Sequence, residues 1–505
     1  MSKIFKRLAA MLMVIATLVS MAACQQNNAN NGLDPEAQKV QNTQAVTVGQ
    51  HTLSAVELNY FFMDAVVEWY GNNSGIAYLL GFDANKPLNE QVISATTGET
   101  WADSFMKTAM DNIRSTYALY DLAIASGFKL SPAQQAEVDN LIKDLNETLE
   151  AYAEYYEQMG FTYPYANAGE YLHTVYGAGA DEETYQHYYE VCTISDAFYT
   201  YYTESLTYDN KTLREFEADK YGQYSSYHYQ AYFVDLKNYD SAEQALADAQ
   251  LLINGNYADK TAFDDAIKAL AINENKNSAK LSEAYENALY NKISTYYAQW
   301  LAEAGRVSGD MQMFAKEDDK GNVQGYYVVR FESANDNNFT LKNVRHLLVA
   351  FKGGTFNAVT GVTTYTDAEK EAARVQAEKY MLQFLTGADT ELRFADMANA
   401  YSDDGDGTTG GLYENIYPGL MVDAFEEWCY SPKRHAGDVE LIQTEYGWHV
   451  MYFVEHTSYT FRDYLLTNDL RARDVNAWYE GLLESAKLEL VDDSYVNKAL
   501  ILSKM

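Results

Sequence analysis

Two histidines and one acidic loop carry most of the chemistry the sequence offers. His346 lies inside an apolar strand pattern, Val344-Arg345-His346-Leu347-Leu348-Val349. His449 lies inside a second one, Gly447-Trp448-His449-Val450-Met451-Tyr452-Phe453. Between them runs a turn-rich stretch, Ser402-Asp403-Asp404-Gly405-Asp406-Gly407, followed by Gly410-Gly411-Leu412. The aspartates invite a calcium reading, but the spacing and the closing Glu of an EF-hand loop are missing, so no metal is expected. Three cysteines make neither a disulfide scaffold nor a Cys-rich zinc site. An imidazole in an apolar strand is either a satisfied core group or part of a polar site. His435 and His456 read as surface residues.

The elements around these residues must position them. Thr366 with Glu369 forms a capping signal for a helix whose apolar face is Ala368, Ala372, Val375, Leu382 and Leu385, stopped by Gly387. A short helix follows with Phe394, Met397, Ala398 and Tyr401. A third holds Met421, Phe425 and Trp428, with Met421 and Phe425 at i and i+4 and hence on one side. The order β-α-α-loop-α-β from Asn343 to His456 predicts a small α+β domain.

The remainder reads differently. Ser54 three residues before Glu57, and Ser131-Pro132 before Gln134, open helices in a Tyr-rich, mostly helical half that continues to about Tyr221. Its aromatics, among them Tyr152, Tyr155, Tyr156, Tyr185, Tyr188 and Tyr189, are either core or an exposed groove for a client chain. After His456, Tyr464 to Leu470 and Val475 to Ala486 look helical, and Leu488 to Val491 forms a short strand.

Composition excludes some partners. The 505 residues carry 72 Asp and Glu against 37 Lys and Arg, a net charge of −35. Nucleic acid binding needs cations facing phosphates and is not expected. Docking on anionic headgroups through a basic patch is disfavoured too.

Several motifs agree in order with the parvulin (PpiC-type) peptidyl-prolyl isomerases. His346-Leu347-Leu348-Val349 resembles the family's opening strand, and Phe394, Met397, Ala398, Ser402 and Asp404 its central segment. Gly410-Gly411-Leu412 resembles its Gly-Gly-x-Leu turn and Gly447-Trp448-His449 its closing strand. The whole chain resembles PrsA-like foldase lipoproteins and SurA-type chaperones. The resemblance implies that His346 and His449 pair on adjacent strands and that Asp404 faces the prolyl bond. It further implies that Leu412, Met421 and Phe425 form the pocket for the proline ring and that Thr444 completes the histidine network. The shortened Gly-Gly-Leu run and Tyr413 depart from the pattern.

The chemistry asks for little covalent machinery. Amide resonance sets a barrier of ~18–20 kcal/mol to rotation, and X–Pro bonds isomerise unaided in about tens to hundreds of seconds. No bond to carbon breaks, so no nucleophile, metal or cofactor is required. A dry clamp on the ring and a polar group favouring the twisted amide suffice.

Two further features bear on organisation. Lys3, Lys6 and Arg7 precede the apolar run Leu8–Ala23, which is too short to span a bilayer and reads as a signal peptide. It ends Met21-Ala22-Ala23-Cys24, which resembles a bacterial lipobox and implies cleavage before Cys24 and its lipidation. An internal echo also appears. Gly325-Tyr326-Tyr327-Val328-Val329-Arg330-Phe331 parallels Gly447 to Phe453, with Ala231 in place of His346 and Tyr327 in place of His449.

The expected fold is multidomain α+β. It comprises a signal peptide (1–23), a polar tether (24–44) and a helical chaperone-like domain (45–225). A degenerate parvulin-like domain (226–335) and an isomerase domain (340–457) follow. A C-terminal segment (458–505) returns to the helical domain. The expected function is a lipid-anchored foldase on the extracytoplasmic face of a bacterial membrane, acting on exported polypeptides with X–Pro bonds. The alternatives are a holdase with a vestigial isomerase site and a solute- or peptide-binding lipoprotein.

Overall fold

The computed structural model describes residues 35–270, 272, 280–387, 390–405 and 407–504. The signal segment, Cys24 and Asp406 therefore lie outside the described residues, as does most of the expected tether. Two compact units divide the chain, one running to Thr207 and resuming at Arg471, the other Tyr208–Leu470.

The first unit is mainly helical. It contains α1 (Pro35–Asn42), β1 (Gln44–Val48), β2 (His51–Ser54), α2 (Ala55–Asn73), α3 (Trp101–Ser126), α4 (Pro132–Gln158), α5 (Ala168–Tyr176) and α6 (Glu182–Ser205). Ser54 and Glu57 cap α2 reciprocally, as Ser131 and Gln134 cap α4, so backbone N–H groups that each first turn leaves unpaired find acceptors. Gly127 ends α3 at φ 73°, in the left-handed region that glycine enters without penalty. Tyr185, Tyr188 and Tyr189 are buried, and the Tyr188 hydroxyl donates to Asp64 at 2.7 Å. Tyr155 is more than half exposed. The tyrosines thus divide between core and surface.

The second unit begins with α7 (Asn210–Glu217). The boundary falls before this helix, not near residue 225, because Leu213 of α7 packs with Tyr224, Leu466 and Leu470. Then come β3 (Ser226–Asp235), α8 (Ala242–Ile253), α9 (Lys260–Lys268), β4 (Glu283–Leu289), α10 (Ala298–Ala302), β5 (Met311–Glu317) and β6 (Val323–Asn335). Their antiparallel sheet has the order β4-β3-β6-β5.

A second set of elements follows. It comprises β7 (Thr340–Ala350), the hairpin β8 (Thr355–Asn357) and β9 (Val362–Thr364), α11 (Asp367–Leu385), α12 (Glu391–Tyr401), β10 (Leu412–Ile416), α13 (Asp423–Cys429), β11 (Val439–Gln443) and β12 (Gly447–Thr460). The sheet order β10-β7-β12-β11 repeats that of the first sheet. The registers repeat too. Ala231 faces Val329 and Phe233 faces Tyr327, as His346 faces Met451 and Leu348 faces His449.

Three sequence expectations need correction. The buried stripe of α11 is Ala373, Ala377 and Phe384, whereas Val375, Leu382 and Leu385 are more than half exposed. Small alanines let the helix lie close on the sheet, so bulk did not mark the inward face. Met421 lies before α13, not on it, because the helix starts at Asp423 after Val422 at its N-cap. The two helices expected after His456 are one, α14 (Phe461–Ser485). β13 (Leu488–Leu490) then pairs antiparallel with β1, and Val496, Leu500 and Leu502 join the core of the first unit.

Candidate functional site

Strand alternation sorts the side chains of the β7–β12 sheet onto two faces. Leu347, Val349, Val450 and Tyr452 pack toward α11 and α12. Val344, Met451 and Phe453 pack on the opposite side, with Phe425 and Trp428 of α13. His346 and His449 share the parity of this second set, so both imidazoles emerge under α13.

There they meet. The two Nδ1 atoms are 3.1 Å apart. His346 Nε2 lies 3.0 Å from Asp404 Oδ2, and His449 Nε2 lies 2.8 Å from Thr444 Oγ1. The Tyr413 hydroxyl donates to the same Asp404 oxygen at 3.0 Å. A contact between two Nδ1 atoms needs one N–H and one lone pair, so at most one ring is cationic. With both neutral, the donors run one way. Tyr446 N–H donates to Thr444 Oγ1 at 3.2 Å, and the Thr444 hydroxyl donates to His449. His449 Nδ1–H donates to His346, and His346 Nε2–H donates to the carboxylate. Every buried polar atom in this row then has a partner.

The loop bearing Asp404 is pinned to β7. Ser402 Oγ accepts from Leu348 N at 3.0 Å and from Asp404 N at 3.2 Å, and Asp403 Oδ2 accepts from Ala350 N at 3.0 Å. Arg345 reaches Glu391 at 2.9 Å and donates to the Thr409 and Gly410 carbonyls. Gly411 sits at φ 65°, and a Cβ there would collide with the His346 carbonyl, whose N–H bonds to Gly411 O at 2.9 Å. Only glycine allows this turn to close on the strand.

Burial sets the electrostatics. His346 and His449 are almost fully enclosed, whereas the Asp404 side chain is 39% exposed. The His346 hydrogen bond, opposed by partial burial and helped by Tyr413, holds the Asp404 carboxyl down at about 2. Burial, and then the neighbouring His346, push His449 down to about 4. Burial raises the Cys429 thiol to about 12, which leaves it inert near neutrality.

The His449 shift has a testable sign. The unfolded chain protonates this ring near 6.5, and the folded chain does so only near 4. The unfolded state therefore binds more protons in that window. Stability should fall as the pH drops from about 6.5 to about 4, by on the order of 3 kcal/mol, with no further loss from this group below that. Chemical denaturation across this range should show the slope, and His449→Gln should flatten it.

The structure brings His346, Asp404, His449, Thr444 and Phe425 together, with the Phe425 ring 5.4 Å from His346 and 5.7 Å from His449, both edge-on. Met421 packs against the same cluster from outside the helix. Leu412 is a correction. It faces Arg345 in the β10–β7 register and so belongs to the α11–α12 side, while Tyr413 faces Val344 on the histidine side, its ring 4.9 Å from His346. In a strand, one residue of slip exchanges the faces. Tyr413 is the group sequence reasoning missed. Counting Gly410-Gly411-Leu412-Tyr413 against Gly-Gly-x-Leu puts it at the family's Leu with nothing deleted. An open cleft of about 690 Å³, lined in part by Val422, Ala424 and Thr444, adjoins the far end of the row. Among the described residues no trio of His, Cys, Asp or Glu converges as a metal site, and no helix is long and apolar enough to cross a membrane.

Comparison with known proteins returns one family model, described as the PPIC-type PPIASE domain, matching residues 326–457. The match begins inside β6, ahead of the expected start at 340. No curated protein sequence matches. Solved structures that align include PrsA from Bacillus subtilis (14% identity, 79% of this chain, 93% of that one, TM-score 0.25). The peptidylprolyl isomerase PrsA of Bacillus anthracis also aligns (15%, 50% of this chain, 90% of that one, 0.20). That of Bacillus cereus aligns over 34% of this chain and 58% of its own length (17% identity, TM-score 0.19). At these TM-scores the likeness adds nothing to the reading of the fold.

Proposed function

Because the chain carries a PPIC-type peptidyl-prolyl cis–trans isomerase domain, matched over residues 326–457, we propose that the chain is a lipid-anchored foldase acting on exported polypeptides outside the cytoplasm. The observation that carries the enzymatic part is the row Asp404–His346–His449–Thr444 beside the Phe425 and Tyr413 rings.

The proposed mechanism follows from amide electronics. A planar amide places partial negative charge on oxygen, and twisting removes it. A carboxylate held ionised near the carbonyl therefore penalises the planar form more than the twisted one. Asp404 is that group, and the histidine row fixes its position without giving up a proton. Phe425, Tyr413 and Met421 supply apolar surface for the prolyl ring, which keeps water from the bond. A ~10⁴-fold acceleration needs about 5.4 kcal/mol of such differential stabilisation.

A refolding assay limited by a non-native prolyl bond tests the foldase reading. The chain should shorten the slow phase in proportion to its concentration. Suppressed aggregation with an unchanged slow phase would favour the holdase alternative instead.

The anchor rests on Met21-Ala22-Ala23-Cys24. Cys24→Ser should release the protein into the soluble fraction or leave its precursor uncleaved. A processed Ser variant that stays with the membrane would contradict lipidation.

A further inference from the structure

The β3–β6 sheet carries a cavity of about 470 Å³ on the face that corresponds to the histidine face of the other sheet. Shared register fixes the correspondence. Ala231 stands at the place of His346 and Tyr327 at that of His449. Tyr285 faces Tyr229 as Tyr413 faces Val344. A second landmark agrees. Arg306 lies over Trp300, 4.1 Å from the ring, and its Nε donates to Trp300 O at 2.8 Å. Arg434 lies over Trp428 at 4.2 Å, with the same bond at 3.0 Å. Three residues before each tryptophan stand Tyr297 and Phe425.

The cavity thus keeps the ring-bearing positions of the isomerase pocket and lacks both histidines. Tyr285 stacks on Tyr229 at 4.6 Å, and Tyr297 lies 5.5 Å from Tyr327. Ala231 at the floor leaves space where His346 fills the other site. At the rim, Lys280 pairs with Glu283 at 3.5 Å. Lys292 also lines the cavity and has no carboxylate within ion-pair distance among the described residues. With Lys280 offset by Glu283, Lys292 leaves the lining of this cavity with one uncompensated positive charge. Aromatic walls take an apolar ring by face contact, and an exposed ammonium selects a carboxylate beside it.

We propose that this cavity is a second binding site, without isomerase chemistry, for a proline-bearing segment that has an acidic residue next to the proline. The proposal rests on reading the histidine site as a proline clamp. The choice of proline comes from the matched positions, and the choice of acidic neighbour comes from Lys292. A client chain held here would present its neighbouring prolyl bonds to the isomerase site at raised local concentration.

The test uses the full chain and calorimetric titration with a short acetylated peptide containing a central Glu-Pro, and with its Lys-Pro counterpart. The parent should bind the Glu-Pro peptide at two sites. Lys292→Glu, at an exposed position, should weaken one of them about fivefold, shift preference toward the Lys-Pro peptide, and leave prolyl-peptide turnover at the parent rate. Ala231→Leu, filling the floor, should abolish that site. A parent that saturates at one site, or a Lys292→Glu variant that titrates like the parent, would overturn the proposal. Two-site, Lys292-dependent binding in a chain that shows no turnover would uphold it while removing the isomerase reading.

Discussion

Phe425→Ala should destabilise the β7–β12 domain by about 3–5 kcal/mol, visible as a lower melting temperature, and should abolish turnover with it. The ring is 4% exposed and packs among Val344, Ile416, Trp428, Met451 and Phe453. Truncation leaves a cavity that the sheet on one side and α13 on the other cannot close. Reading the residue as a pocket wall from sequence leads to a different expectation, lost activity with a modest change in melting. In the structure the ring is core and also lies edge-on to both imidazoles. Phe425→Leu separates the roles. Near-constant volume should cost under about 1.5 kcal/mol, while loss of the edge-on contacts to both imidazoles should still lower turnover. Thermal melts read beside turnover check both variants, and Phe425→Ala melting like the parent would contradict the core assignment.

Asp404→Ala should do the reverse. The side chain is 39% exposed and its loop is held by Ser402, Asp403 and Arg345 rather than by its own carboxylate. Folding should change little. Turnover should fall about 10²-fold, the scale of removing one preorganised electrostatic group from an active site. Asp404→Asn, which keeps shape but not charge, should fall nearly as far. If Asn works as well as Asp, charge at this position is not what favours the twisted amide.

Much of this site was legible in the sequence because it rests on local signals. His346 and His449 stand in apolar strands, and glycines mark the turns. Capping pairs such as Thr366 with Glu369 announce their own helix. What stayed hidden depends on partners distant in sequence. Whether Leu412 or Tyr413 faces the histidines is decided by pairing with β7, and one residue reverses the answer. The inward face of α11 is set by how closely the helix approaches the sheet, which favours Ala373 and Ala377 over larger neighbours. Met421 reaches the Phe425 cluster from the irregular segment before α13, although its spacing reads as helical. The direction of the hydrogen bonds from Thr444 to Asp404 follows from the Nδ1–Nδ1 contact, which no spacing in the chain encodes.

The most direct test of the isomerase site is the rate of cis–trans interconversion of a prolyl tetrapeptide with the full chain, the parent beside His346→Ala and Asp404→Ala. The parent should raise the rate above the solvent rate in proportion to its concentration, and both variants should lose most of that gain while remaining folded. A parent indistinguishable from solvent, or variants that match an active parent, would contradict it.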